Sequence, residues 1–94
     1  MNIRSVRHRG LRKLMTDDDP AGLPPAFVAK IINILSFLQD APSPAALQTI
    51  QSWRAHQLTG DRKGTWSLTV SRNWRITFGI ESGEIIDLDF EDYH

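Results

Sequence analysis

Two hydrophobic periods divide this chain. Through Leu38 the apolar positions recur every three to four residues, and from Trp53 onward they recur at every second one. The first spacing is that of helices with one buried face, the second that of strands with one buried face. The run "AFVAKIINILSFLQD" places Phe27, Val28, Ile31, Ile34, Leu35 and Leu38 on one stripe and predicts a helix. Pro24 and Pro25 stand where it begins, a position at which a missing N–H costs nothing. Upstream, "RHRGLRKLM" carries a narrower stripe of Leu11, Leu14 and Met15 and predicts a basic helix. Gly10 weakens it by about 1 kcal/mol relative to Ala. Ahead of it "NIRSV" predicts a short first strand. "TDDDPAGLPP" predicts a turn-rich break, and "AALQTI" a helical turn after "APSP".

The second half predicts a three-stranded meander. "TWSLTV" alternates on Trp66, Leu68 and Val70, "NWRITFGI" on Trp74, Ile76, Phe78 and Ile80, and "EIIDLDF" on Ile86, Leu88 and Phe90. With a three-residue loop at 71–73, Val70 faces Trp74, Leu68 faces Ile76 and Trp66 faces Phe78. With another at 81–83, Phe78 faces Ile86, Ile76 faces Leu88 and Trp74 faces Phe90. Both hairpins then bury one apolar face, as register demands. Asn73 and Gly83 suit the left-handed position that ends such loops. The expected architecture is α+β: an N-terminal strand and two helices packed on a small antiparallel β-sheet. The other sheet face is left polar and open, with Thr65, Ser67, Thr69, Arg75, Thr77, Asp87 and Asp89. Arg75 stands on the central strand, opposite Thr69 and Asp89. Extending the register puts Glu91 opposite Asn73 and Asp92 opposite Arg72. The closing "EDYH" is thereby delivered beside the "SRNWR" turn. If the segment around His56 pairs alongside the meander, His56 faces the same end.

Composition narrows the class. Residues 1–94 read as a single domain with 40% hydrophobic residues, enough for one core. There is no cysteine, so neither disulfides nor thiolate metal sites arise. No apolar run is long enough to span a membrane, and the opening "MNIRSVRHRG" lacks the apolar stretch of a secretion signal, so a cytoplasmic protein with no membrane partner is expected. The net charge is zero but unevenly spread. Arg4, Arg7, Arg9, Arg12 and Lys13 lead the chain. Arg54, Arg62, Lys63, Arg72 and Arg75 face Asp61 alone, and six acids follow from Glu81 onward. A local basic field is therefore available without a basic protein.

These groups match the needs of one reaction. Cleaving RNA through its own 2′-hydroxyl takes a base for that proton, a cation for charge building on the phosphoryl oxygens, and an acid for the departing 5′-oxygen. His56 and His94 suit the proton roles. Arg75 suits the phosphate, and Asp92 can orient a histidine. Tyr93 can stack on a base or hold the nucleophile. Arg54, Arg62, Lys63, Arg72 and Asn73 are candidate RNA contacts. No metal-ligand spacing is present, and no metal or cofactor is expected. Each group also has a plainer use. His56 can be a solvent-exposed loop residue, and His8 a surface one. Arg75 and Asp89 can be an ordinary cross-strand ion pair worth under ~1 kcal/mol. Trp53, Trp66 and Trp74 suit the core better than a base platform. Tyr93 and His94 can be a frayed tail.

Over essentially its full length the chain resembles the HigB-like toxins of the RelE/ParE superfamily. The resemblance rests on "SVRHRGLRKL", "GLPPAFVAKI", "HQLTGDRKGTWSLTVSRNWRITF" and "DLDFEDYH". It implies a RelE-like fold and a ribosome-dependent endoribonuclease that cuts messenger RNA in the decoding site, without a metal, and stops translation. It implies His56, Arg75, Asp92, Tyr93 and His94 as catalytic residues. The implied partners are a cognate helix-turn-helix antitoxin, the ribosome and its message, with operator DNA reached only through the antitoxin. One departure stands out: where the family often has "HPLKGDR", this chain has "HQLTGDR", so Thr59 replaces a lysine and weakens the expected phosphate grip, with Arg62 or Lys63 as possible substitutes. Two other uses of the fold remain: a ParE-like topoisomerase poison, or a weakened toxin acting mainly in a repressing complex with its antitoxin.

Overall fold

The computed structural model describes residues 1–92. Helix α1 spans Arg9–Asp17 and α2 spans Val28–Asp40. Four strands follow: β1 (His56–Gln57), β2 (Trp66–Thr69), β3 (Trp74–Glu81) and β4 (Glu84–Asp92). They form one antiparallel sheet in the order β1-β2-β3-β4. The α+β architecture is the one expected, with a difference at its N-terminal edge. "NIRSV" makes no continuous strand. It runs parallel to β4 through two isolated bridges, Ile3 to Ile85 and Val6 to Leu88. Single-turn 3-10 helices cover Pro25–Phe27, Gln51–Trp53 and Gly60–Arg62, and a longer one covers Pro44–Thr49.

Helix periodicity reads out directly as burial. Ile31, Ile34, Leu35 and Leu38 of α2 are buried, as are Leu11 and Leu14 of α1. They meet Trp66, Leu68, Ile76, Phe78, Ile85, Leu88 and Phe90 from the sheet in one core. His8 does more than sit on the surface. It caps α1, its Nδ1 accepting from the Leu11 amide at 3.2 Å, and its ring meets Phe90 edge-on. Gly10 has a packing reason that offsets its poor helix propensity. A methyl group there would overlap the carbonyl oxygen of Gly22, so the glycine permits a backbone-to-backbone approach. Asp18 ends α1 in the left-handed region, its amide bonding back to Leu14.

The β2–β3 register is the expected one: Trp66 faces Phe78, Leu68 faces Ile76 and Thr69 faces Arg75. Val70 donates to the Trp74 carbonyl at 3.0 Å. Asn73 is absent from the positive-φ residues, so this turn does not use the left-handed position assigned to it.

The β3–β4 register is not the expected one. Glu81 pairs with Glu84, Ile80 with Ile85 and Gly79 with Ile86, around a two-residue turn of Ser82 and Gly83. Both turn residues have positive φ, 52° and 76°, which is the type I′ geometry favoured in tight hairpins. The pairing then shifts, so that Thr77 faces Asp89, Ile76 faces Phe90, Arg75 faces Glu91 and Trp74 faces Asp92. The extra residue is taken up near Asp87, whose φ is +53°. Ile85, not Ile86, therefore enters the core together with Leu88 and Phe90, while Ile86 is half-buried on the opposite face.

Candidate functional site

Residues paired across an antiparallel sheet point to the same face. The register thus assembles two rows on the side away from the helices. One row runs His56, Ser67, Thr77, Asp89, and the next runs Thr69, Arg75, Glu91. This face is not open. Ser67 and Thr77 are only 2% and 4% exposed. The β1–β2 loop lies over them, and Arg62 from its 3-10 turn reaches across to β4. There its Nη1 and Nη2 donate to the two carboxylate oxygens of Glu91 at 2.9 and 2.6 Å. The Thr77 hydroxyl donates to the same carboxylate.

This fork holds the Glu91 carboxyl below the ordinary carboxylate range. The Arg62 hydrogen bond is the largest cause, with Thr77 and the nearby Arg7 adding to it against the opposing effect of burial. The Arg62 guanidinium is correspondingly held more firmly protonated, first by its bond to Glu91. Sequence reasoning assigned Glu91 no role, because the unbulged register set it opposite Asn73. The signal that would have found it is the Ser-Gly turn, whose two-residue geometry changes the pairing that follows.

Beside this bridge lies a cleft of about 310 Å³, lined by Leu58, Thr59, Arg62, Ser67, Arg75, Thr77, Glu91 and Asp92. Arg75 is half-buried here, opposite Glu91 and not Asp89. Its Nη1 donates to the carbonyls of Ser71 at 2.8 Å and Trp74 at 3.2 Å, which fixes the guanidinium over the strand end. Asp92, at the end of β4, lines the same cleft and pairs with Trp74, not Arg72. Thr59, the residue in the lysine position, is on the cleft wall.

His56 does pair alongside the meander, opposite Ser67, but it stands one strand further out and exposed. Its Nδ1 lies 2.7 Å from the Arg54 carbonyl. A carbonyl only accepts, so in the neutral ring Nδ1 carries the proton and Nε2 presents a lone pair. His56 is not among the residues that line the Arg75 cleft. Arg54, Arg72 and Asn73 are exposed and do not line this cleft. Lys63 lines a second cleft, on the far side of the Arg62–Glu91 bridge. The calls on Tyr93 and His94 lie outside the described residues.

Three comparisons bear on the chain. Residues 4–94 match the family of HigB-like toxins, described as the RelE-like toxin of the type II toxin–antitoxin system HigB. The chain is 39% identical over 92 residues to the Endoribonuclease HigB of Proteus vulgaris, covering 98% of this chain and 99% of that one. Among solved structures it resembles YafQ from E. coli strain BL21(DE3), with a TM-score of 0.63 at 11% identity over 97% of this chain and 91% of that one. It also resembles a YoeB/ParE toxin from Agrobacterium tumefaciens, with a TM-score of 0.56 at 18% identity over 100% of this chain and 99% of that one. At these identities the two structures speak for the fold alone.

Proposed function

Because the chain belongs to the HigB-like family of RelE-like toxins, we propose that it is an endoribonuclease toxin that cleaves messenger RNA, held in check by an antitoxin partner. The observation that carries this reading beyond membership is the cleft around Arg75. A guanidinium anchored by two backbone carbonyls on the third strand of the sheet is a preorganised donor for a phosphate, and little reorganisation is needed when charge develops there. The end of β4 leads Asp92 to the same cleft, and the chain continues from there into Tyr93 and His94.

In this mechanism a histidine takes the proton of the 2′-hydroxyl, a role assigned to His56. The 2′-oxygen attacks the phosphorus while Arg75 stabilises the negative charge on the phosphoryl oxygens. The bond to the 5′-oxygen breaks, and an acid returns a proton to it, leaving a 2′,3′-cyclic phosphate and a free 5′-hydroxyl. His94, with Asp92 steadying its protonated form, suits that second role, and Tyr93 suits a stacking or hydrogen-bonding contact. All the groups named are side chains of this chain. Arg62 stands on the wall beside Thr59, in the region of the family's lysine, with its charge shared with Glu91. On the ribosome the message is cut in the decoding site, and the antitoxin is a helix-turn-helix protein that carries the toxin to operator DNA.

The test is Arg75→Ala. Loss of one such donor lowers the rate by about 10²–10³-fold. The side chain is half-buried on the face away from the core, so the variant should unfold at nearly the wild-type temperature. Cleavage of a programmed message, with and without ribosomes, would be followed beside thermal unfolding. A folded variant that cuts at the wild-type rate removes Arg75 from the chemistry.

A further inference from the structure

The polar face carries a second cleft, of about 270 Å³, on the far side of the Arg62–Glu91 bridge. The two clefts share Arg62, Thr77 and Glu91, so they are halves of one trough with the bridge as a rib between them. The chemistry of this second half is mixed in a specific way. Arg7 and Lys63 are exposed and make no ion pair among the described residues. Asp87 and Asp89 stand on β4, at and beyond the bulge. Between them is an apolar patch. The bulge turns Ile86 out of the core, and opposite it Gly79 has no side chain, so Ile86 leans over the strand; a methyl at Gly79 would lie 3.2 Å from Ile86 Cγ1. Gly64, on the wall, likewise leaves open space, since a Cβ there would meet nothing within 4 Å.

We propose that this second cleft is a nucleotide subsite that takes a residue of the message flanking the scissile bond. Two cations offer a grip on its phosphate, Ile86 offers an apolar surface for the face of its base, and the carboxylates accept from base N–H groups. The acids are what a site for phosphate alone would avoid, and the cations are what a purely apolar docking patch would lack. Position fits as well. Gly79 lies four residues from Arg75 on β3. At ~3.3 Å per residue this is ~13 Å, which a single strand of RNA crosses in a short run of nucleotides. The inference rests on the reading of the chain as an RNA-cleaving toxin and adds to it the place where the strand continues.

The experiment pairs the double variant Arg7→Gln, Lys63→Gln with ribosome-bound messages in which single phosphates beside the cut are replaced by neutral methylphosphonates. On the unmodified message the double variant should lose on the order of tenfold in kcat/KM. At one flanking position the methylphosphonate should cost the wild type a similar factor and cost the double variant nothing further. The remaining positions should affect both proteins equally. If the double variant's deficit persists in full at every modified position, the two cations contact something other than the message, such as the ribosome or a protein partner, and the subsite is overturned. A double variant that cuts the unmodified message as well as the wild type also overturns it. A wild-type chain that cuts no message fails the broader reading instead. Both substituted side chains are on the surface, and circular dichroism would verify the fold.

Discussion

The two hairpins of the meander share strand β3 and differ in how they were specified. Between β2 and β3, strict alternation places Trp66, Leu68, Ile76 and Phe78 inside, and the observed pairs follow it. Between β3 and β4 the pattern is ambiguous, because "EIID" offers Ile85 and Ile86 side by side. Alternation counted back from Leu88 selects Ile86, whereas the two-residue Ser82-Gly83 turn selects Ile85. The turn wins, and a bulge at Asp87 restores the phase so that Leu88 and Phe90 still face the core. Register is thus set at the turn where turn chemistry is strong, and alternation is a safe guide only where no second apolar residue adjoins the first.

The most severe way to break this comparison is to empty the disputed position. Ile85→Ala should cost roughly 2–5 kcal/mol, the usual toll of a large-to-small change in a packed core. Ile86→Ala, half-exposed over Gly79, should cost under about 1 kcal/mol. Urea unfolding of the two variants decides between the registers, since the unbulged pairing demands the opposite order.

The same shift explains what was legible in the site and what was not. Arg75 and its place on the polar face followed from the period alone, and so did the delivery of Asp92 toward the "SRNWR" end of the sheet. Its strand partner did not follow. Each residue beyond the bulge slips along β3, so Glu91 and not Asp89 faces Arg75. The bond from Arg62 to Glu91 joins residues 29 positions apart in the chain, and its geometry depends on a 3-10 turn folding back over the sheet. No local pattern encodes that. The sequence places His56 at the strand edge only conditionally, because a two-residue strand carries no periodicity of its own. The helices were the easiest part: a stripe such as Ile31, Ile34, Leu35, Leu38 has one way to be buried.

A smaller perturbation compares the turns themselves. Gly83 sits at φ 76°, where a side chain is strained, so Gly83→Ala should cost about 1–2 kcal/mol. Asn73 in the β2–β3 turn is exposed and does not occupy that region, so Asn73→Ala should stay within about 0.5 kcal/mol. Thermal unfolding of both would sharpen the contrast between a hairpin set by its turn and one set by its alternation. Equal losses would mean that the Ser-Gly turn does not direct the pairing.

The smallest expected effect separates the hairpins by pH. Pairs across β2–β3 on the polar face, Ser67 with Thr77 and Thr69 with Arg75, contain no carboxylate. The β3–β4 hairpin carries Glu91, faced by Arg62, Thr77 and Arg75, with Arg7 nearby and Asp89 two residues along the same strand. Its folded carboxyl is held below the ordinary value, chiefly by Arg62, so the folded state gives up this proton more readily than the unfolded chain does. The stability it adds is therefore complete above the ordinary carboxylate pKa of roughly 4.3 and is lost as pH falls through the lower folded value. The Arg62 side chain is 48% exposed and that of Glu91 28%, so solvent screening limits the contribution to under about 1 kcal/mol. Amide exchange measured from pH 6 down toward pH 3, after correction for the intrinsic rate, should show β4 amides losing protection before those of β2. Glu91→Gln should remove that difference and lower stability slightly at neutral pH while leaving it nearly unchanged in acid. Parallel loss of protection in β2 and β4, in the parent and the variant alike, would show that the bridge adds nothing to the second hairpin.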